Sequence, residues 1–215
     1  MGNKIACIAS LDTKYQETMY ACDEIRRCGC EPVLMDISTK TLAERGAQIN
    51  PKEILEVYGM SWEEFEPLNK ADSIETMAKA LEKAVPVFYR QGRFDGIISI
   101  GGGQNARMAA SAMKPLPFGV PKIIASSLAC GKRTMEQYVG DNDIMVIHTV
   151  ADISMLNDTT KTVILNVCHA AAGMVKNQNP PLQDSRKKIA ATMLGITSKG
   201  VEGTLRRLPD EQFEK

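Results

Sequence analysis

Three consecutive glycines, Gly101, Gly102 and Gly103, follow a short apolar run, residues 94–100, and precede a segment of good helix formers, residues 106–113. Such a junction makes an anion site. Bare backbone lets the chain come close to a ligand, and the first N–H groups of a helix have no partner of their own. The chemistry on offer is a phosphate cradle; the plain alternative is a tight strand-to-helix turn that binds nothing. Two lysines point the same way. Lys14 follows Asp12 and Thr13 just ahead of one helical pattern, and Lys70 stands at the start of another. A cation at the positive end of a helix opposes the dipole unless an anion sits nearby. The competing readings are surface lysines, with Asp12 and Thr13 merely capping their helix. Asp36, Ser38 and Thr39 close a second apolar run. There an acidic or hydroxyl residue of a βαβ unit can face a ribose or a phosphate, and a solvated loop is the alternative.

The elements that must hold these residues alternate along the chain. Residues 4–10 read as a first strand, 11–14 as a loop and 15–28 as a helix that Gly29 closes. Residues 32–37 read as a second strand. The polar stretch 40–69 exceeds a normal crossover and suggests a lid or an oligomer contact, with helix starts at Asn50-Pro51 and at the capping-box spacing of Ser61 and Glu64. Residues 71–91 form the longest helix, bent at Pro86, and deliver the chain to the glycine strand. Strands at 122–126 and 144–149 and a helix at 157–174 complete the pattern. Strands alternating with helices imply an α/β fold, doubly wound around a mainly parallel sheet. His148 and His169 have no partner in sequence and read as core histidines. After residues 1–176, taken as the ligand-binding α/β domain, 177–186 read as a linker. Residues 187–215 read as the first strand and helix of an incomplete second domain, with 188–199 echoing 4–14 as a strand running into a Thr/Lys loop. About 30 residues cannot bury a core by themselves.

Lysine plus arginine equals aspartate plus glutamate at 26 each, so no net field recruits nucleic acid or an anionic membrane. No apolar run approaches the ~20 residues of a membrane span. Residues 1–4 lead straight into a strand and leave no room for a signal peptide, so a cytoplasmic location is expected. The six cysteines lack the paired spacing of a zinc site and read as free thiols.

Several stretches, taken in order and spacing, resemble a known family. They are Ser10-Leu11-Asp12-Thr13-Lys14, Asp36-Ile37-Ser38, Phe94-Asp95-Gly96 through the glycines, and Leu116-Pro117-Phe118-Gly119-Val120-Pro121-Lys122. Ser127-Leu128-Ala129-Cys130-Gly131, Tyr138-Val139-Gly140, Val150-Ala151-Asp152-Ile153 with Asn157, and Ala170-Ala171-Ala172-Gly173-Met174 continue the series. Together they resemble the Tm-one-like ATP-binding domain family, named after a plant tobamovirus-resistance protein. The resemblance runs along nearly the whole chain. It implies two linked Rossmann-like domains with ATP bound in the N-terminal one, and so a separate polypeptide carrying the rest of the second domain, or a longer parent chain. By position it sets Asp12, Thr13, Lys14, Ser38 or Thr39, Lys70 and the glycine turn at the nucleotide. One departure stands out. The family turn reads Gly-Gly-Ser-Gly-Gly-Thr, and here it is Gly101-Gly102-Gly103-Gln104-Asn105-Ala106. Gln104 and Asn105 crowd backbone-only phosphate contact, although their amides can donate hydrogen bonds.

Three functions compete. The first is a nucleotide-binding module for ATP with Mg²⁺, working as a homo-oligomer or with a second-domain partner, with weak hydrolysis or nucleotide-controlled assembly as its output. Asp12 or Asp152 would hold the metal through water. The second is an assembly subunit with a degenerate pocket. The third is an NAD-type dinucleotide-binding enzyme, since the glycine turn also resembles that of iron-dependent alcohol dehydrogenases.

Overall fold

Apolar residues alternate between two faces along each central strand, and both faces are covered. In the computed structural model, which describes residues 3–42, 45–130, 134–177 and 186–214, the chain divides into two compact units, Met1–Gln178 and Asn179–Lys215. The first unit holds strands β1 (Lys4–Ala9), β2 (Glu31–Asp36), β3 (Gly96–Ile100), β4 (Lys122–Ser126) and β5 (Met145–His148). They pair in the order β2-β1-β3-β4-β5, every pair parallel. The fold is therefore α/β, doubly wound and Rossmann-like.

Helices cover both faces. Ile5, Cys7 and Ala9 of β1, with Ile98 and Ile100 of β3, pack under α1 (Leu11–Arg27) and α7 (Asp158–Lys176). Ala6 and Ile8 of the same β1, with Ile97 and Ile124, pack under α2 (Pro51–Tyr58), α4 (Lys70–Arg90) and α5 (Gly103–Met113). This is the strict period of two that a strand buried on both sides requires. Short helices α3 (Trp62–Phe65) and α6 (Glu136–Val139) complete the unit. The longest helix, α4, continues through Pro86.

The stretch 40–69 packs part of itself into the core. Ile54, Leu55 and Phe65 are fully buried and Trp62 nearly so, all in the core around α4. Ile49 bridges to Met35 on the outer edge of β2, which the insertion therefore closes. Asn50 caps α2, and Ser61 with Glu64 forms the expected capping box of α3. Two boundaries also move. Residues 11–14 form the first turn of α1 rather than a loop, with a break at Lys14 (φ −125°, ψ 24°). Helix α5 starts at Gly103, so Gln104 and Asn105 lie in its first turn.

In the second unit, β6 (Lys187–Lys188) pairs in parallel with β7 (Phe213–Glu214) across α8 (Ser198–Leu205). Strand β6 is two residues long. No described residue of this unit is buried. Most of the expected linker, and Gly131, lie outside the described residues.

Candidate functional site

The strand order reverses between β1 and β3, the point where open parallel sheets hold ligands beyond their carboxyl ends. Two helices begin there, α1 after β1 and α5 after β3, and their first turns are finished in opposite ways.

The start of α1 is already occupied. Its N-cap residue, Ser10, gives no side-chain cap. Instead, Asp36 Oδ1 accepts from the Leu11 N–H at 3.1 Å, and Ser38 Oγ accepts from the Asp12 N–H at 3.1 Å. The same Asp36 oxygen accepts from the Ser38 N–H at 2.9 Å and the Ser38 hydroxyl at 2.5 Å. A carboxylate thus sits where the helix dipole favours an anion.

The start of α5 is open. Gly102 is its N-cap with no side chain to offer, and the first turn holds no acidic residue. The N–H groups of Gly103, Gln104 and Asn105 donate to no described residue. The three glycines are not equivalent. A Cβ on Gly101 would come within 2.9 Å of the Asn105 amide, and one on Gly103 within 2.8 Å of Leu128, whereas one on Gly102 would meet no described residue within 4 Å. Among the described residues, Gly102 therefore faces free space at an uncapped helix end.

Asn105 does not crowd that space. It is 5% exposed and points into the fold. Its Oδ1 accepts from the Ser10 N–H at 3.1 Å, and its Nδ2 donates to Ser99 Oγ at 2.7 Å. It is a strut between the β1 and β3 turns, with no amide hydrogen directed to a ligand as the sequence suggested. Gln104 is exposed and leaves the cradle uncovered.

The structure thus joins Asp12, Ser38 and the glycine turn through Asp36 and Asn105. Thr13 is exposed, and its hydroxyl returns to the Ser10 carbonyl at 3.3 Å. Ser38 is fully buried as part of the α1 cap rather than open to a ligand. Thr39 and Lys14 are half-buried and Lys70 is exposed, and none of their side chains holds a hydrogen bond or ion pair among the described residues. Lys70 opens the helix that leads the chain to the start of β3, so it stands toward the carboxyl ends of the strands.

Beside the first turn of α1, Asp12 Oδ1 and Asp36 Oδ2 are buried and have no hydrogen-bond partner among the described residues. Burial pushes the Asp36 carboxyl above its ordinary range, hydrogen bonds from Ser38 and Leu11 oppose this, and the Asp12 charge adds to the rise. Among the described residues no three His, Cys, Asp or Glu side chains converge. No disulfide joins any of the six cysteines among the described residues. His148 and His169 are exposed, contrary to their reading as core residues.

Three features lay beyond local sequence patterns. Asp36 caps the start of the preceding helix from 25 residues away. Arg45 donates to the Leu11 carbonyl and lies over the Tyr15 ring at 5.2 Å, beside a cavity of about 420 Å³ that it lines with Leu42 and Asn50. Val150 adopts φ 63° in a turn where the Ala151 N–H reaches the Thr149 carbonyl at 2.6 Å. Positive φ is a genuine outlier for a β-branched residue.

No described helix is long and apolar enough to cross a membrane. Residues 3–180 match the model of an uncharacterised protein family, the UPF0261 N-terminal domain. The whole chain is 34% identical over 217 residues to a UPF0261 protein of Clostridium tetani, covering 53% of that protein. It is 26% identical over 234 residues to the ToMV resistance protein Tm-1(GCR237) of Solanum lycopersicum, with 98% of this chain and 30% of that protein covered. A UPF0261 protein of Rhizobium meliloti is 27% identical over 214 residues, with 95% of this chain and 50% of that protein covered. The chain spans about half the length of these bacterial relatives, and the tomato protein bears out the resemblance seen in the motifs. The chain belongs to the UPF0261 family, and the matched part is that family's N-terminal domain.

Proposed function

We propose that this chain binds the phosphate chain of a nucleotide, ATP with Mg²⁺ by the family resemblance, at the start of α5, and that binding controls assembly. One observation carries the reading: an uncapped helix end at the switch point of the sheet, with Gly102 open in front of it. A phosphate oxygen there accepts from the Gly103 and Gln104 N–H groups, and the helix dipole favours its charge. Lys14 and Lys70, both free of ion pairs, supply positive charge at the same edge of the sheet. Occupation of the α1 end by Asp36 steers the anion to α5. The residues fit the group, because the cradle is open where a Cβ would fill it and acceptor oxygens beside it lack donors. We assign binding rather than turnover, since Gln104, the side chain exposed beside the cradle, has no titrating proton.

Gly102→Val is the test. Gly102 has φ −77° and ψ −172°, extended backbone that valine adopts readily, so the variant folds. ATP-Mg at ~100 times its dissociation constant adds about 2.7 kcal/mol to the stability of the unchanged chain, seen as a rise in melting temperature. The valine methyls occupy the cradle and abolish that rise. An unchanged chain without any rise, or a variant that keeps all of it, refutes the reading.

A further inference from the structure

Past its first turn, α5 carries Arg107, Ser111 and Lys114 at i, i+4 and i+7, on one face of the helix, while Met108, Ala109, Ala112 and Met113 between them are buried. Such a stripe would be an ordinary solvated face, but α6 stands against it. Met135, just ahead of α6, is buried, and Tyr138 and Val139 pack onto the same core as α5. These contacts fix a wall opposite the stripe. Arg107, Ser111 and Lys114 on one side, with Gln137 and Tyr138 on the other, line a cavity of about 410 Å³. Small-molecule sites typically fall at about 300–1,000 Å³. The 11-residue helix sets the far end of this cavity about 16 Å from the glycine cradle, so the two are separate places.

Every lining residue carries a hydrogen-bond donor, and no described acidic residue lines the cavity. Arg107 and Lys114 form no ion pair among the described residues. Glu75 on α4, whose carboxylate feels the Arg107 charge, is already bound to Lys79 at 2.8 Å. Ser111 and Tyr138 are half-buried, and their hydroxyls hold no hydrogen bond among the described residues. Gln137 is fixed by its amide, which donates to the Thr134 carbonyl at 3.2 Å. The spacing of the two cations selects the ligand. They stand two turns apart, about 10.5 Å along the axis, and helical side chains lean the same way, so their charges keep roughly that separation. Two charge-assisted hydrogen bonds of about 2.8 Å leave about 5 Å between the acidic oxygens they hold. A single small anion meets one cation, and a dianion of that span meets both. We propose that this cavity binds a small organic dianion, a dicarboxylate or a bisphosphate, whose two acidic ends are held by Arg107 and Lys114. The Ser111 hydroxyl between them and the Tyr138 hydroxyl opposite donate to the same groups. The site stands independently of the phosphate reading of the cradle.

Glutarate, which has that span, and propane-1,3-diol bisphosphate are the probes, titrated into the full chain by calorimetry, with acetate as the single-charge control. The unchanged chain binds at least one of the two dianions about tenfold or more tightly than acetate, and the tighter of the two tells carboxylate from phosphate. Arg107→Gln and Lys114→Gln each weaken that binding by about tenfold to a hundredfold, the worth of a hydrogen bond to a charged group. Both positions are exposed, so the variants fold, with the fluorescence of buried Trp62 as the check. Binding of neither dianion, acetate bound as well as both, or glutamine variants that bind unchanged overturns the site. If Gly102→Val abolishes dianion binding while the two glutamine variants keep it, the dianion rests in the cradle, and this proposal fails while that reading stands. A tetraglutamate peptide that outbinds both probes marks a docking surface for an acidic protein segment, and the proposal fails.

Discussion

Asn105→Ala removes both atoms that tie the β1 turn to the β3 strand. Two partners are stranded: the Ser10 N–H, at a half-buried residue, and the Ser99 hydroxyl, at a residue 1% exposed. An unsatisfied buried polar group costs about 1–3 kcal/mol. Ser99 bears the larger share because water can reach Ser10 more easily. The sum is about 2–4 kcal/mol, a large fraction of the 5–15 kcal/mol typical of a folded domain. The chain has one tryptophan, Trp62, 7% exposed in the core of the first unit, so its fluorescence in urea reports that unit. The midpoint falls and the slope stays constant. Ser99→Ala made together with Asn105→Ala removes one stranded group, so the pair loses less than the sum of the singles by about 1 kcal/mol. A loss under about 0.5 kcal/mol, or strict additivity, refutes the strut.

Lys122 is 1% exposed, with its ammonium 2.6 Å from Asp143 and 2.9 Å from the Pro117 carbonyl. Asp143→Ala strands that charge and costs about 2–4 kcal/mol in urea unfolding, toward the lower end of buried-pair losses because the Asp143 side chain is 29% exposed. Burial pushes the Asp143 carboxyl up, but hydrogen bonds from Lys122 and Gly119 win and hold it below the ordinary range. Its stabilisation is therefore present above about pH 3.9 and is lost as pH falls through the lower folded value, a step the alanine variant lacks. Asp36 contributes the opposite sign: its raised carboxyl adds stability as pH falls toward that same ordinary value. Val150→Gly relieves the positive φ of a side chain 71% exposed and raises stability by about 1 kcal/mol, strain relief exceeding the entropy of glycine. A drop in stability would show that the Val150 turn is unstrained.

Much of this fold is written locally. The β-branched run at Ile97 and Ile98, the glycines behind it, and the caps at Asn50 and Ser61 each follow from a few neighbouring residues. What escaped local reading depends on distant partners. Leu11 to Lys14 looks like a loop until Asp36, 25 residues away from Leu11, supplies the missing cap. Asn105 looks like a bulky intruder at a phosphate turn until Ser10, 95 residues away, takes its carbonyl oxygen. Trp62 and Phe65 sit in a polar stretch whose pattern does not reveal that α4 offers them a core. The candidate site is legible as a place, the glycine turn at a strand end. Its division into an occupied α1 end and an open α5 end needed the tertiary structure.

The central claim is that an anion rests on the first amides of α5. Titrating tripolyphosphate into the ¹⁵N-labelled chain and following backbone amide resonances tests it residue by residue. The largest shifts belong to Gly103 and Gln104, while Leu11 and Asp12, already bonded to Asp36 and Ser38, stay nearly still. Silent glycine amides, or a response centred on the start of α1, would contradict the account.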